Sequence, residues 1–291
     1  AFIHIVDISG ETDSEGKETK GYDPLQDIAM LEKELDLWYL GILKKVWRTF
    51  ARTIQTVKGD FAKAVTNQFS GLKVVEDDVK DVLRKGEYDS EKPNDWSEEQ
   101  LFEFAHSLRH ISKPMIIAAN KIDKDDSKAN LDRLREAYPD LMIVECSADS
   151  ELALREAHLH DLIEYVPGSK DFKVKGKLNE KQMAALELIR ENVLNKYGST
   201  GVQEVLNKTV FELLKYIAVF PAGASKLADS KGNILPDCFL LPEGSTALDF
   251  AATVHTDLAK NFIKAIDAKT KRAVGKDHVV KHRDGYEIIT R

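Results

Sequence analysis

The chain has 291 residues, 43% hydrophobic and 31% charged, with a formal net charge of −7 at pH 7. That length supports two or three domains with cores of their own, and the acidic balance excludes a protein that coats nucleic acid globally while leaving room for a local basic patch. Two cysteines, Cys146 and Cys238, are too few for a disulfide framework and have no metal-ligand spacing, so no structural metal is expected.

Residues 2–6 are an apolar run bounded by Asp7, the pattern of a buried strand. Neither a basic n-region nor an initiator Met marks a signal peptide. The chain is therefore read as beginning partway through a domain, N-terminally truncated. A polar loop covers 8–22. Asp23-Pro24 starts a helix, and Leu25, Ile28, Leu31, Leu35, Trp38, Ile42, Val46, Phe50, Ile54 and Val57 recur at helical spacing, as one helix or two stacked ones. Ser97-Glu98-Glu99-Gln100 is a capping box ahead of Leu101, Phe104, Ala105 and Leu108. Trp38, Trp47 and Trp96 fall at apolar helical positions and are read as core.

At Pro114 the period changes. Residues 115–119 form a second buried strand, followed by a helix over 129–138, a third strand over 141–145 and a helix over 151–165. Such alternation predicts a parallel, doubly wound α/β sheet, with 24–110 inserted between two of its strands. Helices over 178–194 and 202–216 flank Gly198-Ser199-Thr200-Gly201. After Pro221 the chain is turn-rich. Strands over 238–241, 262–267 and 286–290, with a helix over 247–255, then predict a small α+β module. No stretch approaches the roughly 20 apolar residues of a membrane helix, and a reducing, cytoplasmic setting is expected.

In an open parallel sheet, ligands bind beyond the carboxyl ends of the strands. Two consecutive strands here end in polar signatures. Asn120-Lys121-Ile122-Asp123 offers a carboxylate that can accept two hydrogen bonds, from N1–H and the 2-amino group of guanine. Adenine has no such donor pair, and a buried Asp123 left unpaired would penalise it. The Lys121 stem can cover the base, and the Asn120 side chain can tie neighbouring loops together. Backbone N–H groups of Ser147 and Ala148, after the next strand, are assigned to the guanine O6. As a bare string the motif also reads as a turn with a solvated Lys/Asp pair; its place between strand and helix, followed by Ser-Ala, points to guanine.

These motifs, with a long helical insertion before them, resemble the YchF branch of the Obg-related GTPases. Glu243-Gly244-Ser245-Thr246-Ala247-Leu248-Asp249-Phe250-Ala251, then Val254-His255-Thr256-Asp257-Leu258 and Phe262-Ile263, resemble the TGS module, a β-grasp domain. Gly198 to Val205 looks typical of the archaeal type. The resemblance covers essentially the whole chain. It implies a partial P-loop NTPase domain at 1–23 and 111–168, a coiled-coil-like helical insertion at 24–110, a helical connector at 169–216 and a TGS domain at 217–291.

The resemblance further implies a GTP- or GDP-binding, translation-associated nucleoside triphosphatase. With Asp123 rather than the Glu of many relatives, guanine is expected over adenine. No Gly-x-x-x-x-Gly-Lys-Ser/Thr occurs to cradle phosphates. The Asp-x-x-Gly that would position the γ-phosphate and Mg²⁺ is likewise read as missing, so Mg²⁺ is expected in the full-length parent with ligands outside this chain. No catalytic residue is assigned; His4 reads as a core histidine and His255 as structural. The alternative is a non-hydrolysing module that binds RNA or the ribosome. Lys44, Lys45, Arg48 and Arg52, with 44, 48 and 52 on one helix face, read either as a solvated face or as a surface for rRNA phosphates. So do Lys269, Lys271, Arg272, Lys276, His278, Lys281, His282 and Arg283 of the C-terminal module.

Overall fold

The computed structural model describes residues 1–223 and 237–291; most of the turn-rich stretch expected after Pro221 lies outside the described residues. The chain divides into two compact units, Ala1–Leu206 and Asn207–Arg291. In chain order the first contains β1 (Phe2–Asp7) and five helices, α1 (Leu25–Lys44), α2 (Trp47–Val57), α3 (Phe61–Gln68), α4 (Glu76–Lys85) and α5 (Glu98–Ser112). There follow β2 (Met115–Asn120), α6 (Ser127–Ala137), β3 (Met142–Cys146), α7 (Ala148–Leu159), β4 (Ile163–Glu164), β5 (Lys173–Val174), α8 (Glu180–Ile189), α9 (Asn195–Tyr197) and α10 (Val202–Asn207).

The three long strands form a parallel sheet in the order β1-β2-β3. Met115 through Ala119 are all buried, as a continuous apolar run must be in an inner parallel strand. On one face Val6, Met115, Ile117 and Ala119 pack with Ile28 of α1 and with Leu131 and Leu134 of α6. β1 alternates instead: Val6 is buried while Ile3 and Ile5 are 39% and 66% exposed. The register aligns Asp7 with Asn120 and Asn120 with Cys146, so the last residues of the three strands form one row.

Between β1 and β2 the helical block closes on an aromatic core of Tyr39, Phe61, Phe69 and Phe104, with Trp47, Tyr88 and Trp96 packed against it. Edge-to-face contacts such as Phe61–Phe104, 5.8 Å between centroids, suit the ring quadrupoles. Trp47 and Trp96 belong to this core, but Trp38 does not: it is 46% exposed. The long helical run breaks where Val46 leaves the helical region at φ −120°. Lys44 thus ends α1 while Arg48 and Arg52 lie on α2, so the expected three-residue stripe is divided between two helices. Lys44 is further occupied by an ion pair with Glu98. The capping box forms as read, Gln100 N–H to Ser97 Oγ at 3.1 Å and Ser97 N–H to Gln100 Oε1 at 2.9 Å.

The helix expected to reach residue 165 ends at Leu159. Asp161 takes φ 55°, and β4 pairs antiparallel with β5. Ile163 and Tyr165 then enter a core with Leu154, Phe172, Leu186 and Leu194 at strand rather than helix period.

The second unit holds β6 (Tyr216–Pro221), β7 (Phe239–Pro242), α11 (Ala247–Val254), α12 (Thr256–Lys260), β8 (Phe262–Asp267), β9 (Ala273–Val274) and β10 (Asp284–Thr290). Its sheet has the order β7-β6-β10-β8-β9, with β6 and β10 parallel. Phe250 and Ala247 of α11 pack on Ile217, Val219, Leu241, Ala265 and Tyr286. No strand is expected at β6 from the sequence pattern, yet it sits inside the sheet: a six-residue apolar run after a helix has no periodicity that separates it from the helix tail. His255 serves as a cap, its Nδ1 accepting the Asp257 N–H at 3.1 Å.

Candidate functional site

The row Asp7, Asn120, Cys146 at the carboxyl ends of β1, β2 and β3 brings the loops that follow them to one edge of the sheet. Asn120 Oδ1 accepts the Ala148 N–H at 2.9 Å and lies 3.8 Å from Cys146 Sγ. Ile122 N–H donates to the Cys146 carbonyl at 3.2 Å, and Ile8 N–H to the Asn120 carbonyl at 3.1 Å. One asparagine side chain and two backbone bonds therefore join all three loops.

Lys121 has φ 66°, the left-handed region, which costs an L-residue about 1–2 kcal/mol. Its carbonyl is held by Ser127 Oγ at 2.6 Å and Lys124 N–H at 3.1 Å. The side chain reaches across to β1, where Nζ donates to Asp7 Oδ2 at 2.7 Å. Asp7 Oδ1 accepts from Ser9 N at 2.9 Å and Ser9 Oγ at 2.6 Å, and Oδ2 also accepts from Thr12 Oγ1. Burial pushes the Asp7 carboxyl up, but Lys121, Ser9 and Thr12 outweigh it and hold the group below its ordinary 3.8.

Asp7 is a site residue the motif reading misses, though a signal was present. Asp7-Ile8-Ser9-Gly10 has the Asp-x-x-Gly form, which corrects the reading that no such string occurs. In the fold it is a turn that ends a strand. Gly10 has φ 71°, and a Cβ there would sit 2.9 Å from the Tyr22 carbonyl oxygen, so only glycine suits the position. Beside this turn lies a cleft of about 610 Å³ lined by residues including Ser9, Thr12, Thr19, Lys121 and Asp126. A second cleft, about 600 Å³, lies in the helical block near Ile54, Lys80 and Lys92 and shares none of these residues.

Asp123 is exposed and has no hydrogen-bond or ion-pair partner among the described residues. The buried pocket expected around it is therefore not formed by the chain alone; any penalty against a wrong base arises only where a ligand covers the carboxylate. The two amides assigned to O6 both have acceptors: Ser147 N–H donates to the Thr200 carbonyl at 2.9 Å, and Ala148 N–H to Asn120. α7 begins at Ala148, which leaves the Asp149 and Ser150 amides in the first turn without intrahelical acceptors. Cys146 is buried and burial, with Glu145 adding, pushes its thiol up to about 12, so it is inert. His4 Nδ1 is buried without a hydrogen-bond partner among the described residues, and burial holds the imidazole below its ordinary value against the pull of Asp27 and Glu32.

Asp36, His106 and His110 could hold a metal by proximity, their ligand atoms lying within 4.8 Å of one another. Hydrogen bonds already occupy all three, two of them from a buried guanidinium. Arg109 Nε donates to Asp36 Oδ1 at 2.7 Å and its Nη2 to His110 Nε2 at 2.8 Å, while His106 Nδ1 bonds Asp36 Oδ2 at 2.7 Å. The set is an ion-pair network between α1 and α5.

Residues 118–223 match a family described as Obg-like GTPase YGR210-like, G4 motif-containing domain, and residues 221–290 match the TGS domain. Across all 291 residues the chain is 44% identical to an uncharacterized GTP-binding protein of Methanocaldococcus jannaschii, covering 73% of it. It is 33% identical over 257 residues to a GTP-binding protein of Schizosaccharomyces pombe, 85% of this chain and 62% of that one. Among solved structures, a GTP-binding protein from Pyrococcus horikoshii superposes with a TM-score of 0.80 at 41% identity, over 99% of this chain and 78% of that one. The Schizosaccharomyces pombe YchF GTPase shares the fold, with a TM-score of 0.54 at 16% identity over 99% and 72% of the two chains. No helix among the described residues is long and apolar enough to cross a membrane.

Proposed function

We propose that this chain, which belongs to the Obg-like GTP-binding proteins of YGR210-like type and carries a TGS domain over 221–290, reads the guanine base of GTP or GDP at its strand ends through Asn120, Lys121, Asp123, Ser147 and Ala148. The observation that supports this most directly is the Asn120 Oδ1 to Ala148 N–H bond, which holds the two base-reading loops together beside an unpaired, exposed Asp123. Asp123 accepts N1–H and the 2-amino group. Lys121 keeps its head on Asp7 and lays its stem along the base. O6 competes with Asn120 for the Ala148 amide.

Residues 1–23 and 111–168 are then the nucleotide domain, 24–110 its helical insertion, 169–216 a connector and 217–291 the TGS domain. A cytoplasmic location suits the free thiols Cys146 and Cys238. Mg²⁺ does not fit the acid nearest the strand ends: both oxygens of Asp7 are taken by four donors, one of them the Lys121 ammonium. No metal ligand and no hydrolytic residue is assigned.

Equilibrium binding of GDP, ADP and xanthosine diphosphate to the full-length protein tests the base reading. Asp123→Asn should weaken GDP about 100-fold, as expected for losing charge-assisted bonds, and improve xanthosine diphosphate. Equal affinity for ADP and GDP, unchanged by Asp123→Asn, would sink it.

A second reading, contact with ribosomal RNA, is favoured by one observation: Lys45, Arg48 and Arg52 are exposed, and no acid lies between Gly41 and Gly59. The basic C-terminal residues offer a second surface, although Lys269 is paired with Asp284. Arg48→Glu with Arg52→Glu should lower ribosome co-sedimentation and flatten its salt dependence; unchanged sedimentation at all salt concentrations removes this reading.

A further inference from the structure

Ser147 of the proposed base site, and Ile122 and Cys146 beside it, are held by a segment that none of the base-reading motifs contains. Gly198-Ser199-Thr200-Gly201 lies fifty residues beyond Ser147-Ala148 in sequence, yet its turn is pressed against them. The Thr200 carbonyl accepts the Ser147 N–H at 2.9 Å. Gly201, at φ 78°, lies so close to the end of β3 that a Cβ would overlap the Glu145 carbonyl oxygen and come within 2.9 Å of Cys146 Cα. Two residues earlier in the same segment than Ser199, Tyr197 Oη donates to the Ile122 carbonyl at 3.2 Å, inside the Asn120–Asp123 motif. One short segment thus touches the loops after both β2 and β3.

The turn is itself anchored. Thr200 is 1% exposed and its Oγ1 donates to Glu151 Oε2 at 2.6 Å. Glu151, 4% exposed, also accepts from Tyr165 Oη at 2.8 Å and from Arg155 Nε at 2.6 Å. Burial pushes this carboxyl up, but the bonds from Thr200, Arg155 and Tyr165 outweigh it, so it stays an acceptor for all three. Its own N–H donates to the Ser147 carbonyl at 3.1 Å, so the anchor returns to the residue whose amide Thr200 receives. Ser199 Oγ accepts the Gly201 N–H at 3.1 Å and closes the turn.

We propose that Tyr197, Thr200 and Gly201 are positioning residues for guanine recognition, setting the separation of the loops that carry Asp123 and Ala148 through the contacts to Ile122, Ser147 and the end of β3. This rests on the guanine reading above. None of the three touches the base: Thr200 fixes Ser147, Tyr197 fixes Ile122 next to Asp123, and Gly201 fixes the end of β3 just before Ser147. An error near an ångström in that separation costs a pre-organised site about 10- to 100-fold.

The test uses the full-length protein, with GDP, ADP and inosine diphosphate as probes. Thr200→Val removes the Glu151 bond at constant shape, Tyr197→Phe removes the Ile122 bond, and Gly201→Ala forces the β3 end to move. Each should lower the GDP-to-ADP and GDP-to-inosine-diphosphate affinity ratios about 10-fold or more, with Thr200→Ser restoring them. Amide exchange at Ser147 and Ala148 should quicken in Thr200→Val without nucleotide. If Gly201→Ala fails to fold, the other two variants decide. A lower unfolding midpoint with unchanged affinity ratios means a merely structural turn and overturns the proposal. Asp123→Asn, run in parallel, separates the two failures. If it alters base preference while the turn variants do not, only this inference falls; if it changes nothing, the guanine reading falls and this one with it.

Discussion

Two aspartates organise polar clusters in the first unit, and their surroundings make them opposites. Asp7 closes β1 beside an open cleft, its side chain 16% exposed, paired with a Lys121 that is itself 29% exposed. Asp36 lies between α1 and α5, its side chain 7% exposed, paired with an Arg109 at 1%. Lysine brings a mobile point charge on a flexible stem; arginine brings a rigid fork that fills a fixed geometry. The first cluster borders solvent and a cleft, and the second is enclosed between two helices that it holds together. Similar chemistry acquires different purposes from the solvent around it.

The comparison breaks first at the buried pair. Arg109→Leu leaves Asp36 charged and enclosed, and should cost about 3–5 kcal/mol in denaturant unfolding. A loss under about 1 kcal/mol would mean that water reaches Asp36 and the contrast is false. Lys121→Met should cost less, about 1–2 kcal/mol, because Ser9 and Thr12 still satisfy an Asp7 in contact with solvent. Its larger consequence should be weaker GDP binding by the full-length protein.

Acid should separate the clusters with the smallest effect of the three. His110 is held below its ordinary 6.5 by burial, then by Arg109 and His106, with Glu32 and Asp36 pulling weakly the other way. Because arginine has no acceptor, His110 Nε2 must be unprotonated to receive the Arg109 bond. Its contribution is present above pH 6.5 and fades as pH falls through the lowered folded value. Asp7, also lowered, keeps its contribution down to its ordinary 3.8 and loses it below that. Amide exchange in α5 should therefore rise in mild acid, before exchange at Ile8 and Ser9; the reverse order contradicts the assignment.

What could be read in the sequence was local. A capping box announces itself in four residues, and Asn120-Lys121-Ile122-Asp123 needs only a strand before it and a helix after it. The TGS segments were legible as contiguous strings. The Asp36–Arg109 pair was not, because its partners lie 73 residues apart and look in isolation like ordinary helix charges. Glu151 and Thr200, 49 residues apart, were hidden in the same way. β6 escaped because its membership depends on pairing with β10, which a run of six residues does not encode. Asp7 is hidden differently: Asp7-Ile8-Ser9-Gly10 is visible as a string, but nothing local separates it from an ordinary strand-end turn until Lys121, 114 residues away, is brought onto its carboxylate.

The α1–α5 stem has a consequence for how this molecule can vary. Tyr39 Oη and Ser112 Oγ lie 3.0 Å apart, and with the Asp36–Arg109 pair they clasp the C-terminal halves of the two helices, close to where the chain enters β2. A segment whose ends are already clasped can lengthen cheaply, since closure entropy grows only with the logarithm of loop length. Everything beyond the clasp is then a free compartment for change. Changes in the helices there leave the α1–α5 contact, and so the chain's entry into β2, in place.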